Sequence, residues 1–168
     1  GRLFSGESRR VWAVMTILDQ FSLEGKVVVL TGAAGLYGRG LAAALAEARP
    51  TLVIASRNLE RLQQVADEET ARGFSVVAEP LDQGDESSVL ALRDRVLERF
   101  GRVDGLVNNS VLRPMRSPDD PAAAWEESMR VNATGVFLMT RALGEVMCSQ
   151  QSGSIVNVSS IQGVVGPS

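Results

Sequence analysis

Gly32, Gly35 and Gly38 recur at every third position directly after a threonine, Thr31, and before a run of helix-forming residues. Ahead of them Val27, Val28, Val29 and Leu30 read as a strand buried on both faces. After them Leu41, Ala42, Leu45 and Ala46 repeat at helical spacing. Strand, glycine turn and helix in that order form the layout of a dinucleotide site. The first glycine permits a tight turn, the second lets backbone approach a pyrophosphate, and the third allows close helix–strand packing. Thr31, Leu36 and Tyr37 complete the turn, and free N–H groups at the helix start favour bound phosphate. A second chemical position follows the next apolar run, where Ser56, Arg57 and Asn58 stand. A carboxylate there would select a ribose 2′-hydroxyl. Ser56 repels nothing, and Arg57, helped by Asn58, can clamp a 2′-phosphate through charge-assisted hydrogen bonds. This pattern predicts NADP over NAD.

The elements that must hold these residues alternate along the chain. Strands are expected at Val27–Leu30, Thr51–Ala55, Ser75–Ala78, Asp104–Val107 and Ser154–Val158. Between them lie helices carrying apolar stripes: Leu59, Leu62 and Ala66; then Val89, Leu92, Val96 and Phe100, closed by Gly101. A long helix is expected from a cap at Asp119 or Asp120, with Pro121 near its first position. Its stripe is Trp125, Met129, Asn132, Val136, Thr140, Leu143 and Met147, which puts the amide of Asn132 on a buried face where it must be paired. The alternation predicts an α/β fold: a Rossmann-type doubly wound parallel sheet with helices on both faces, about five strands being present.

Composition narrows the chemistry. The chain has 168 residues, a net charge of −3, one cysteine and no histidine. This acidic balance argues against nucleic acid as a partner. A His-based triad and a Cys/His zinc site are excluded, and no metal site is expected. No apolar run reaches membrane-spanning length. Residues 1–22 differ from the rest: Arg2, Arg9 and Arg10 sit among small polar residues. They read either as an Arg-rich targeting remnant or as a disordered, non-native extension ahead of Met15; the second reading is preferred. The expected compartment is the cytoplasm, with organellar targeting left open. Residues 23–168 form the expected domain.

Five motifs carry a family resemblance: TGAAGLYG at 31–38, LD at 81–82, NNS at 108–110, VNATGVF at 131–137 and GSIVNVSS at 153–160. In order and spacing they resemble the short-chain dehydrogenase/reductase family over residues 23–168. The resemblance implies hydride transfer between a nicotinamide and a small-molecule carbonyl or alcohol substrate. It assigns Asp82, with Gln83 beside it, to the adenine, and Asn108 and Ser110 to the cofactor's surroundings. Asn132 is implied to hold a water in a proton relay, and Ser160 to bond the substrate carbonyl. It also implies a homo-oligomer, dimer or tetramer, built partly on the long helix.

Three departures qualify it. The glycines run T-G-x-x-G-x-x-G, as in the family's extended branch, where its commonest pattern is T-G-x-x-x-G-x-G. Ser110 and Val111 replace the last two residues of N-N-A-G, so a branched side chain stands where glycine lets the ribose approach. The family's Tyr-x-x-x-Lys pair is missing: Tyr37 is the only tyrosine and Lys26 the only lysine, and neither matches. The chain is therefore expected to be the N-terminal two-thirds of a reductase, inactive alone, with the fifth strand an exposed edge. The alternative is a non-catalytic dinucleotide-binding or interaction module. Asn132 and the 153–160 motif disfavour another Rossmann-type protein such as a methyltransferase.

Overall fold

A computed structural model describes residues 18–160. The expected tail lies outside the described residues up to position 17; Leu18–Phe21 is a 3-10 turn. It leads into Leu23, whose N–H donates to Ala48 O at 2.7 Å.

Five strands form one parallel sheet: β1 (Val27–Thr31), β2 (Thr51–Ser56), β3 (Ser75–Pro80), β4 (Gly105–Asn108) and β5 (Ser154–Asn157). Their order is β3-β2-β1-β4-β5, with Val28 in register with Leu52 on one side and Gly105 on the other. Helices α1 (Leu36–Glu47), α2 (Leu59–Ala71), α3 (Glu86–Phe100), α4 (Ala122–Met129) and α5 (Gly135–Gln150) connect them. Alternate residues of β1 face opposite layers, the period-2 consequence of the strand pleat. Val27 and Val29 join Val53 and Leu106 against Val89, Leu92, Val96, Met139 and Leu143 of α3 and α5. Val28 and Leu30 join Leu52 and Ile54 against Ala42, Ala46, Leu62 and Val65 of α1 and α2. The sheet is thus covered on both faces, and the doubly wound α/β fold expected from the sequence is the one observed.

The order reverses at β1: the chain moves outward to β2 and β3, then returns to the other side for β4 and β5. At such a switch point the turns after the two central strands diverge and leave a crevice at the carboxyl edge. The residues after β1 and β4 therefore set the site.

Helix ends obey local chemistry in two places. Asp85 caps α3, its side chain accepting from Ser87 N at 3.1 Å, and the Ser87 hydroxyl bond holds its carboxyl below the usual range. Gly101 closes the same helix at φ +73°, the left-handed conformation glycine takes without penalty.

The long helix departs from expectation. It is broken by a five-residue π segment, Arg130–Thr134, between α4 and α5. The extra residue per turn rotates the stripe. Upstream, Trp125 is 54% exposed; downstream the buried side is Val131, Gly135, Leu138, Met139, Ala142, Leu143 and Met147. The N-cap is Pro121, with no side-chain cap bond. Asp120 instead turns back and accepts N–H groups of Arg116 and Ser117, the latter at 2.9 Å, so its negative charge serves the preceding loop. In α2, Leu59 is 43% exposed and Val65 takes the buried place beside Leu62 and Ala66. At the sheet's edge, β5 leaves Val156 half exposed.

At the amino edge of the sheet Asp104 ties the central strands together. Its carboxylate, 7% exposed, accepts from Arg102 at 2.6–2.7 Å, from the Val27 N–H at 2.9 Å and from Lys26 at 3.5 Å. The Arg102 bonds, then the Val27 N–H, hold its carboxyl below the ordinary carboxylate value. A lowered folded pKa means stability that is complete above the unfolded value, about 3.9, and is lost as pH falls through that value towards the folded one. Asp104→Asn is therefore expected to cost about 2 kcal/mol at pH 7. It should also make the fall in Tm between about pH 4 and pH 2 shallower than in the wild type. Thermal melts across that range check both; parallel curves would refute the assignment.

Candidate active site

The turn after β1 is built around Thr31. Fully buried, its hydroxyl accepts the backbone N–H groups of Asn109 and Ser110, each at 3.0 Å. The Asn109 side chain returns the contact, donating to Thr31 O at 3.1 Å and Gly32 O at 3.3 Å. These bonds fasten the end of β4 to the start of the glycine turn. Gly32, at φ +71°, lies so close to the loop leaving β4 that a Cβ there would stand 2.9 Å from Ser110 Cα. A Cβ on Gly38 would stand 2.1 Å from Gly32 O, so the third glycine seats α1 on its own turn. Gly35 differs. Its nearest neighbour to a Cβ would be Gly32 O at 3.4 Å, ordinary contact. As the N-cap of α1 it bonds through no side chain, and it borders the open groove. Its missing side chain therefore leaves room on the groove side, where a ligand's backbone contact would fall.

The groove, about 680 Å³, runs along the carboxyl edge of the sheet. Gly32, Gly35, Leu36, Tyr37, Gly38, Ser56, Arg57, Asp82, Gln83 and Ser110 all border it. Leu36 and Tyr37, 95% and 80% exposed, stand at its rim on the first turn of α1. Val111, the branched residue in the glycine's expected place, borders it too. The Ser56 hydroxyl is buried beside Arg57 with no hydrogen-bond partner among the described residues, an acceptor and donor left for a ligand. Asn58 spends its side-chain oxygen capping α2, accepting from Arg61 N at 3.0 Å.

Asp82 accepts from Gly84 N at 3.0 Å and meets the Arg130 guanidinium at 3.5 Å. Arg130 forks onto Glu127 at 2.7 and 2.9 Å. That bond holds the Glu127 carboxyl below its usual range and, with Asp82, raises the arginine. Gly84 makes the arrangement feasible, because a Cβ there would stand 2.2 Å from an Arg130 nitrogen. Gln83, 3% exposed, donates to Val131 O at 3.2 Å, inside the π segment, while its own carbonyl oxygen is buried and unpartnered among the described residues.

Thr31, Asn58, Asn108, Asn132 and Ser160 are not on the groove lining. Asn108, 3% exposed, donates to Asn157 Oδ1 at 2.8 Å and Thr140 Oγ1 at 3.3 Å, tying β4 to β5 and α5. Asn132 is half-buried, and both ends of its amide are bonded. Its oxygen accepts from Leu112 N at 2.8 Å, and its amide donates to Leu112 O at 2.7 Å and Ser128 Oγ at 3.1 Å. The amide on the helix is thus paired, as its placement required, by a loop backbone. Ser160 is exposed, just beyond β5. Lys26 sits at the amino end of β1, paired to Asp104, across the sheet from the groove.

Sequence reasoning missed Asn109, Arg113, Arg116 and Arg130. Asn109 was legible in part, inside the N-N-S motif. The three arginines carry no local signal, because what places them is the folding of the 109–121 loop and the π segment.

Comparison with known proteins agrees with this geometry. The family model for short chain dehydrogenase matches residues 26–168. Among curated relatives, the 3-oxoacyl-[acyl-carrier-protein] reductase of Thermotoga maritima is 33% identical over 152 residues, covering 86% of this chain and 59% of that protein. The D-threitol dehydrogenase of Mycolicibacterium smegmatis is 34% identical, covering 83% and 54%. Among solved structures, NAD+-bound xylitol dehydrogenase superposes with a TM-score of 0.82 at 31% identity, over 86% of this chain and 56% of that one. A gluconate 5-dehydrogenase from Burkholderia cenocepacia, in complex with NADP and tartrate, gives 0.82 at 33% identity, over 89% and 59%. The chain spans a little over half the length of these relatives. With the glycine turn at a sheet switch point and the family match over nearly all described residues, the chain belongs to the short chain dehydrogenase family.

Proposed function

We propose that this chain is the dinucleotide-binding part of an NADP-dependent oxidoreductase acting on a small-molecule carbonyl or alcohol. The observation that carries this reading is the groove itself, with an open Gly35, an unpartnered Ser56 hydroxyl and Arg57 along one edge. The bound dinucleotide would supply or accept a hydride at its nicotinamide. The chain's residues bind and orient it. Backbone N–H groups of Leu36, Tyr37 and Gly38, at the start of α1, face phosphate with the favourable end of the helix dipole. Asp82 offers a carboxylate oxygen to the adenine amino group, and the Arg130 guanidinium holds that carboxylate in place. Gln83 and Ser110 line the same groove, and Asn108 stiffens the wall behind it. Asn132, by clamping Leu112, fixes the loop that leaves β4 and orders the relay water; Ser160 bonds the substrate carbonyl. Among the described residues neither the tyrosine nor the lysine takes the role of proton donor: Tyr37 stands at the rim of the glycine turn and Lys26 at the opposite edge of the sheet.

Solved neighbours hold either NAD or NADP, so the fold leaves the choice to the end of β2. There Ser56 and Arg57 favour the 2′-phosphate. Fluorescence titration is expected to show NADPH bound at least about tenfold more tightly than NADH, the worth of one charge-assisted bond. Arg57→Gln should close that gap by weakening NADPH alone. Tighter binding of NADH by the wild type would overturn the preference. Binding of neither would overturn the dinucleotide reading and favour an interaction module.

A further inference from the structure

The groove carries more positive charge than a dinucleotide needs. Three arginines border it: Arg57, Arg113 and Arg116. In the reading above, Arg57 faces a 2′-phosphate, and the pyrophosphate lies against N–H groups of the glycine turn and α1. Arg113 and Arg116 are left over. No carboxylate on the lining neutralises them, since Asp82 is engaged by Arg130 and by Gly84 N. Neither arginine forms an ion pair among the described residues. Of the two carboxylates that follow, Asp119 forms no ion pair among the described residues, and Asp120 accepts the backbone N–H groups of Arg116 and Ser117 and feels the Arg116 charge only at longer range.

The loop that carries them is fixed at both ends. Asn132 clamps Leu112 through its N–H and its carbonyl, at 2.8 and 2.7 Å. Asp120 holds Arg116 and Ser117, and Asp120 N returns a bond to Ser117 O at 3.2 Å. Between these anchors stand Arg113, Pro114, whose ring fixes φ, and Met115. A solvated charge on a free loop needs no such anchoring. Here two guanidinium groups three residues apart are presented to one groove from a pinned backbone, next to the residue that Asn132 holds. Guanidinium forks match carboxylate and phosphate geometry.

We propose that Arg113 and Arg116 form an anion subsite in this groove, and that the substrate is a carbonyl or alcohol compound carrying a carboxylate or phosphate group. The second clause rests on the oxidoreductase reading; the subsite does not. The anion belongs to the substrate and not to the dinucleotide, whose charges are already faced.

The test uses the 168-residue chain loaded with NADP, and ligand-observed NMR titration of paired probes. Levulinate is compared with its uncharged methyl ester, and dihydroxyacetone phosphate with dihydroxyacetone. One anionic probe should bind at least about tenfold more tightly than its uncharged partner. In the Arg113→Gln/Arg116→Gln double variant that ratio should fall to within about twofold, with the Kd for NADPH also within about twofold of wild type. The unchanged NADPH affinity shows that the variant is folded. No preference in the wild type, absence of binding included, overturns the proposal, as does a preference the double variant keeps. A matching loss of NADPH affinity assigns the arginines to the dinucleotide and overturns it too. Charge discrimination by a wild-type chain that fails to bind NADPH leaves the subsite standing and overturns the oxidoreductase reading.

Discussion

Gly38→Ala is expected to weaken dinucleotide binding by about a hundredfold or to lower the melting temperature, according to which part of the fold yields. The new Cβ would stand 2.1 Å from Gly32 O and 2.8 Å from Ala33 Cα and Gly32 C. All three are backbone atoms of the turn itself, so no side-chain rotation relieves the contact. Either α1 moves off the sheet, losing the packing of Ala42 and Ala46, or the turn opens. Overpacking of this kind costs about 3 kcal/mol. If the turn absorbs the strain, a similar loss reaches the ligand, about a hundredfold in Kd for NADPH. Two other glycines of the segment separate the causes. Gly40 lies in α1, and a Cβ there would meet no heavy atom within 4 Å. Gly40→Ala should therefore stabilise the protein by about 1 kcal/mol, the helix propensity difference. Gly35→Ala meets only ordinary contact inside the protein. It should leave Tm nearly unchanged while weakening NADPH, because its methyl group enters the groove. Melting curves and fluorescence titration of the three variants check the set. Wild-type affinity and melting temperature in Gly38→Ala would show that this glycine does not seat the turn.

Thr31→Val should have the next largest effect, although the two side chains have almost the same shape. The hydroxyl it removes is the acceptor for two part-buried N–H groups, those of Asn109 and Ser110, and Thr31 itself is fully buried. Leaving two donors unsatisfied costs about 2–4 kcal/mol, roughly a 10 °C fall in Tm for a domain of this size. NADPH affinity should fall with it, because the bonds that fasten β4 to the glycine turn also fix the two walls of the groove. Thr31→Ser keeps the acceptor and should restore most of both. Equal melting temperatures for Thr31→Val and the wild type would mean that the Asn109 side chain alone holds the junction. The effect is one of positioning, so it should appear in Tm as well as in Kd, whereas Arg57→Gln should appear in Kd alone.

The sequence by itself determined the fold and, within it, where the candidate groove lies. Val27–Leu30 is apolar on both faces, so it had to be an inner strand, and the glycine spacing after Thr31 had to be a turn into a helix. The stripe Val89, Leu92 and Val96 gave α3 its buried side, and Asp85 and Gly101 its ends, because periodicity and capping are properties of a few neighbouring residues. Ser56 and Arg57 were placed by the same means, at the end of an apolar run. What the tertiary structure decided is which residues from distant segments meet. Thr31 reads in the sequence as a cofactor contact; in the fold it turns inward, because the end of β4 brings two N–H groups to it. Trp125 and Val131 exchanged surfaces because the π segment shifts the helical phase, which no regular period reveals. Asn132 found its partner in the backbone of Leu112, twenty positions away. Arg113 and Arg116 border the groove on a loop bonded at its two ends to Asn132 and Asp120. Local pattern fixes burial one element at a time, whereas a site at a sheet's switch point is assembled from loops whose neighbours are set by strand order.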